Sequence, residues 1–274
     1  MWHIANMLWR IGDVLDFDQQ LAWTLEAGFD GIGFHASAGV PGQWRGIEPA
    51  TCNAAERLRL RELVGQFAFA EVHAPFRIEL CTDNLAWSIA ELAPVLELAG
   101  DLGAEVVTVH AQVPDSTTAQ PTDWLASMKQ LNVEAGRRGL TIGLEIVEGF
   151  DAVRGWNLPN IGVTLDIGHM HVLEAGRRSL ASLGGLGAVI RHLGGTLHHL
   201  HVHDVDAGRD HGEVGTGSVD FREIIAALEE IGYRGNLTLE LNPDRVSPEG
   251  IRRSREYLKH IASNEAHQPD AKLE

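Results

Sequence analysis

Four ionisable residues stand at the ends of four separate apolar runs: Glu145 in TIGLEIV, Asp166 in IGVTLDIGH, His201 in LHHLHVHD and Glu240 in NLTLELN. A carboxylate set within an apolar run is costly unless it finds a partner. Each run therefore reads as a buried strand that ends in a metal ligand or a general acid/base. Two earlier runs end in the same way, FAEVHAPF at His73 and VVTVHAQ at His110. His169 lies three residues past Asp166, and His211 lies in the loop DAGRDHGEVGTGSVDF that follows the His201 run.

Three carboxylates and one imidazole converging on a point repel one another, so they raise a carboxyl pKa or recruit a cation. One divalent ion resolves the conflict. An oxygen-rich set with a single nitrogen suits Mn2+, Mg2+ or Co2+, and Zn2+ also accepts it. A lone histidine in an apolar strand is more often a hydrogen-bonded core residue than a ligand; the succession of four strands carries the functional reading. Glu148 rivals Glu145, but strand alternation puts it on the opposite face. His199, His201 and His203 share one face and His198 does not, and spacing leaves open which of the three reaches the site.

Positioning these residues requires a parallel sheet. Eight strand-like runs are expected, at roughly 2–7, 29–35, 67–74, 105–111, 141–147, 161–167, 197–204 and 237–242. Helical spacing occupies 18–27, 84–102, 122–138, 220–231 and 248–262. Asp123 reads as an N-cap, Gly28, Gly103 and Gly232 as helix stops, and Pro94 as a kink. The link 151–160 is too short and irregular for a good helix, and Gly-rich 184–195 does not match a phosphate-binding loop. Strand–helix alternation over this length implies a single (β/α)8 TIM barrel over residues 1–262, with a disordered tail at 263–274. A doubly wound sheet is the alternative. In a barrel the active site forms at the C-terminal ends of the strands, where the ionisable residues fall. Trp9, Arg10, Trp44, Arg77 and Trp156 fall near strand-end loops and are candidate pocket walls.

The 274 residues carry a formal charge of −16, with 44% hydrophobic residues. So acidic a chain repels phosphate backbones and anionic membranes, which argues against a nucleic-acid partner. Cys52 and Cys81 do not make a disulfide framework and are expected to be reduced. No stretch reaches membrane-spanning length, and MWHIANMLWR lacks the pattern of a secretion signal, so a cytoplasmic location is expected. A homo-oligomer is compatible with the sequence, which shows no distinctive interface stripe.

The segments EVHAPF, VVTVHA, LEIVEG, TLDIGH, HVHD, HGEVGTGSVDF and LTLEL, in that order, resemble the xylose isomerase-like barrel superfamily. That group includes sugar isomerases, sugar epimerases and the endonuclease IV family. The resemblance implies Glu145, Asp166, His201 and Glu240 as ligands of one shared divalent metal, and the register of HVHD selects His201 over His203. In the epimerases the glutamates matching Glu145 and Glu240 also form the acid/base pair. In the endonucleases residues matching His73 and His110 join Glu145 at a second zinc, and those matching His169 and His211 hold a third. This chain departs from the endonuclease pattern in carrying Arg209 where that family has an aspartate. It also has Thr216 between the loop glycines, where many relatives have glutamate.

The expected activity is a metal-dependent isomerase or epimerase of a keto sugar or related polyhydroxy carbonyl compound. Glu145 and Glu240 would exchange a proton with carbon through a metal-stabilised enediolate. His73, His110, His169, His211 and Arg209 are the candidate substrate-binding residues. A lyase or dehydratase using the same metal is the alternative, a multi-zinc phosphodiesterase a third reading, and a non-catalytic barrel a fourth.

Overall fold

The computed structural model describes residues 2–114 and 122–265. Eight parallel strands close on themselves: β1 (Ile4–Met7), β2 (Gly31–His35), β3 (Phe69–His73), β4 (Val106–Ala111), β5 (Thr141–Glu145), β6 (Ile161–Asp166), β7 (Leu197–Val202) and β8 (Leu237–Leu239). Each pairs with its sequence neighbours. β1 pairs with β8, Ile4 beside Leu237, and β3 with β4, Glu71 beside Val106, so no edge is left open. This is the single (β/α)8 barrel expected from the sequence.

The strands are near-continuously buried because helices cover their outer face. The helices among the described residues are α1 (Phe17–Glu26), α2 (Ala54–Val64), α3 (Leu85–Leu102), α4 (Thr122–Arg137) and α5 (Phe150–Trp156). They continue with α6 (Ile167–Val172), α7 (Glu174–Leu183), α8 (Leu186–Leu193), α9 (Phe221–Glu230) and α10 (Pro248–Glu265). The Asp16 side chain caps α1 by accepting from the Gln19 N–H at 3.1 Å. Gly103 ends α3 at φ +77°, a left-handed conformation that a side chain would strain. α3 continues through Pro94.

Four details differ from the sequence reading. Residues 150–156 do form a helix, a short one, because Phe150, Ala152 and Val153 bury against the barrel. The Gly-rich stretch holds α8, whose Leu186, Val189, Ile190 and Leu193 are buried; glycines flank the helix rather than interrupt its apolar face. α4 begins at Thr122, which places Asp123 inside it rather than before it, and the Asp123 side chain lies outside the described residues. α10 runs through Glu265, past the expected boundary at 262, and 266–274 lie outside the described residues. Among the described residues no helix is long and apolar enough to cross a membrane.

Inside the barrel the side chains fall into layers. Ala5, Phe69 and Val106 form a small apolar cluster at the bottom. Two residues further along each strand the interior turns polar, with Glu71, Thr108, Thr164, His199 and Thr238 all buried. Gly143 belongs to this level: a Cβ there would lie 1.9 Å from the Thr164 hydroxyl. The next level is the C-terminal mouth.

Candidate active site

Strand register alone puts the mouth residues side by side. His35 is the lateral partner of His73, His110 of Glu145, and Asp166 of His201. Glu240 follows β8 directly. Around His201 Nδ1, the Glu240 Oε2 lies at 2.9 Å, the Glu145 Oε2 at 3.7 Å and the Asp166 Oδ2 at 4.0 Å. The His201 ring donates from Nε2 to Glu71 Oε1 at 2.7 Å. In the neutral ring, Nδ1 is then a bare lone pair facing three carboxylates. It is buried and has no hydrogen-bond partner. Acceptors held this close need a proton or a cation between them, so the residues fit a divalent metal. The four sequence-expected ligands are thereby brought together.

The candidate ligands are held from behind. His203 Nε2 lies 2.9 Å from both Asp166 oxygens. Its Nδ1 accepts the His211 backbone N–H at 2.7 Å, which leaves the ring proton on Nε2 to donate to Asp166. His203 thus backs Asp166, while His201 is the imidazole that faces the three carboxylates. Asp166 also caps α6 by accepting the His169 N–H at 2.6 Å.

Glu145 sits among three imidazoles: His73 Nε2 at 3.2 Å, His110 Nε2 at 3.2 Å and His169 Nδ1 at 3.0 Å. Burial favours its neutral form, but hydrogen bonds from His110, His169 and His73 hold it well below the usual carboxylate range. Burial likewise opposes the charges on Asp166 and Glu240, and the imidazoles of His203 and His201 respectively keep both low. In return, and against the effect of burial, Asp166 and Glu145 push His169 up to about 10. Glu71 and Glu240 hold His201 well above its ordinary value. Without a cation, protons on these imidazoles balance the carboxylates.

His211 takes a left-handed backbone (φ 52°), uncommon for a residue with a side chain, and so turns its ring to donate from Nδ1 to the Glu240 carbonyl at 2.8 Å. Asp210 brings its carboxylate within 3.7 Å of His169 Nε2. His169, Asp210 and His211 form a group with metal-ligand spacing, as do His73, His110 and Glu145. A carboxylate beside His169 and His211 thus comes from Asp210, the residue after Arg209. Arg209 itself is exposed on a hairpin, paired with Asp206, apart from the other candidate substrate contacts.

One wall of the mouth is aromatic. Trp9 stacks on His35 with ring centroids 5.9 Å apart, and Trp44 and Phe76 pack on the same imidazole at 4.7 and 5.0 Å. The Trp9 indole N–H donates to His35 Nε2. Burial, with His73 alongside, pushes His35 down to about 3, so it is neutral. Arg10 is engaged by Asp244 and Arg77 by Glu91. Trp156 ends α5, which leads into the start of β6, and packs against the core at the opposite end from the mouth. On the other side a cleft of about 650 Å3 opens over His110, Glu145 and His169, edged by Cys81, Gln112 and Leu173. Glu148 reaches this cleft at its outer rim, where it pairs with Arg178.

Sequence reasoning missed His35, Glu71, Phe76 and Asp210. His35 ends an apolar strand as plainly as His73 does. Glu71 is a carboxylate inside an apolar run, two residues before His73 and so on its face. Asp210 and Phe76 carry no comparable signal, since loop geometry alone brings them in.

Residues 21–261 match the family model described as xylose isomerase-like TIM barrel. An L-ribulose 3-epimerase of Mesorhizobium japonicum is 26% identical over 271 residues, covering 90% of this chain and 83% of that protein. A 3-dehydroshikimate dehydratase of Pseudomonas aeruginosa is 27% identical over 228 residues, covering 71% of this chain and 36% of that protein. A solved L-ribulose 3-epimerase structure superposes with a TM-score of 0.74 at 21% identity, over 100% of both chains.

Proposed function

The chain belongs to the xylose isomerase-like TIM barrel family, and from that premise we propose that it is a divalent-metal-dependent epimerase of a small ketose, exchanging the proton on the carbon beside the carbonyl. One observation carries this reading: Glu145 and Glu240, buried and on different strands, both face the unpartnered His201 Nδ1. The relatedness to L-ribulose 3-epimerase supports the substrate class.

Glu145, Asp166, His201 and Glu240 would hold the ion. A bound divalent cation supplies Lewis-acid stabilisation to negative charge developing on a substrate oxygen. The chain supplies the proton movements. One of Glu145 and Glu240 removes the proton from carbon, and the other returns one to the opposite face. His169, at 3.0 Å from Glu145, holds a substrate hydroxyl and passes protons to and from that carboxylate, and His211, anchored on the Glu240 backbone carbonyl, holds another hydroxyl. The Trp9, Trp44 and Phe76 wall covers the apolar face of the substrate and excludes water.

The test is turnover of L-ribulose and a panel of ketoses in D2O by protein loaded with Mn2+, Co2+, Mg2+ or Zn2+. One deuterium at the epimerised carbon is expected, and Glu145→Gln or Glu240→Gln should each lower turnover by roughly 10²–10⁴. Full activity in both variants would refute the assignment. A lyase reading draws on the dehydratase relative and predicts loss of water from product instead. A multi-metal phosphodiesterase reading draws on the His73–His110–Glu145 and His169–Asp210–His211 groups. It predicts two or three zinc ions per chain and nicking of abasic-site DNA.

A further inference from the structure

Below the mouth, one carboxylate is buried where a barrel ordinarily packs branched apolar side chains. Glu71 is fully enclosed, on β3, one level beneath the four metal-ligand candidates. Its Oε1 accepts from His201 Nε2 at 2.7 Å and from the Thr108 hydroxyl at 2.5 Å. Its Oε2 accepts from His199 Nε2 at 2.9 Å. His199 Nε2 in turn lies 2.8 Å from the Thr238 hydroxyl. A carboxylate in a dry interior is costly even when hydrogen bonded, unless positive charge is close. Lys and Arg are absent from these contacts, and positive charge can reach Glu71 only through an imidazole.

We infer that Glu71 is the positioning residue of the metal centre: by accepting the His201 Nε2 proton it fixes the ring so that Nδ1, and not Nε2, is presented to the cation, and its charge strengthens that nitrogen as a donor. This rests on the metal-dependent reading above. The geometry favours it over a purely structural role. Among the described residues, His201 is the one that touches both Glu71 and the mouth carboxylates, with one ring nitrogen on each. The other tautomer would put a lone pair against Glu71 and a proton against the metal position, and the Glu71 carboxylate, an acceptor only, disfavours it. His199 contacts the other oxygen and anchors Glu71 from below. Carboxylate partners of metal-bound histidines typically set affinity by 10–100-fold.

The experiment is the affinity for Mn2+ of the whole chain, measured by competition with a chelator, for wild type, Glu71→Gln and Thr238→Val. Glu71→Gln keeps the shape but removes the charge, and about 10–100-fold weaker binding is expected. Thr238→Val loosens His199 without touching His201 and should bind Mn2+ like wild type. Folding of the metal-free variants is followed by circular dichroism, which a structural role would move and a positioning role would not. Equal affinity in wild type and folded Glu71→Gln overturns the inference and leaves the functional reading standing. Absence of metal binding in wild type overturns both. If Glu71→Gln does not fold, 15N spectra of histidine-labelled, Zn2+-loaded wild type decide: a proton on His201 Nε2 supports the inference, and a proton on Nδ1 refutes it.

Discussion

Gly168 is the residue at which the smallest change should do the most damage to the centre. It is the second residue of α6, where alanine would ordinarily stabilise a helix by about 1 kcal/mol over glycine. A Cβ at this position would lie 2.0 Å from His203 Cε1 and 2.3 Å from its Nδ1. The His203 ring has nowhere to go. It is fully buried, with Asp166 on one nitrogen and the His211 N–H on the other. Gly168→Ala must therefore break the bond to a charged carboxylate, worth about 1.5–3 kcal/mol, and a neutral one worth about 1 kcal/mol. After the helix gain is subtracted, about 1.5–3 kcal/mol of destabilisation remains, a Tm lower by roughly 3–10 °C for a chain of this size. Asp166 also loses the group that aims it, so Mn2+ affinity should fall by roughly 10–100-fold. The assay is thermal unfolding of the metal-free protein, then a chelator competition. Gly155→Ala is the control: its Cβ meets nothing within 4 Å, and it lies in α5. If Gly168→Ala matches Gly155→Ala in both measurements, His203 is not the support of Asp166 that the geometry makes it.

Three further outcomes are expected. His35 is held neutral, near 3 against an ordinary 6.5, so the unfolded chain takes up a proton that the folded one refuses. Stability from this site is full above about pH 6.5 and falls by up to ~1.4 kcal/mol per unit as pH drops toward 3; urea titrations should show a shallower acid loss in His35→Phe than in wild type, and parallel curves would refute it. His201 and His73 are both raised in the metal-free protein, so metal binding must expel protons and weaken as pH falls. Calorimetry in two buffers of different ionisation enthalpy should reveal proton release near pH 7, and identical heats would count against the ligand assignment. Under the proposed function, Phe76, 48% exposed at the mouth, would cover substrate, apart from the proton exchange at Glu145 and Glu240. Phe76→Ala should raise KM by roughly 5–30-fold, worth ~1–2 kcal/mol of apolar contact, with kcat little changed; a fall in kcat alone would place Phe76 elsewhere in the reaction.

The barrel was legible because its strands are buried on both faces and read as apolar runs, which made each interrupting carboxylate conspicuous. Glu145, Asp166, His201 and Glu240 all announce themselves in this way. Their supports do not. His203 differs from His201 by one alternation step, and only its contact with Asp166 distinguishes their roles. Asp210 and Arg209 are adjacent on a hairpin whose register shifts between Arg209 and Gly212. Which of the two points inward follows from that irregularity and not from residue type. The helix of 150–156 was missed because it is short and gains its stability from packing on the barrel, and that of 186–193 because its clear apolar face is only two turns long and flanked by glycines.

Strand register, more than loop structure, sets the geometry of the centre. Strand hydrogen bonds fix neighbouring strands to a set register, so Asp166 stays beside His201 whatever the loops do. The proposed ligands lie at or just past strand ends and inherit that precision, which loop residues such as Arg209 and Thr216 do not share. The constraint passes downward instead. A ligand histidine needs its second nitrogen satisfied inside the barrel, and here this requirement draws in Glu71, which in turn needs His199 and Thr108. The strand carrying His201 therefore cannot exchange His199 for an apolar residue without leaving a buried carboxylate oxygen short of a donor. A change at Glu71 itself should propagate to the metal, whereas exchange of an exposed loop residue such as Arg209 should not.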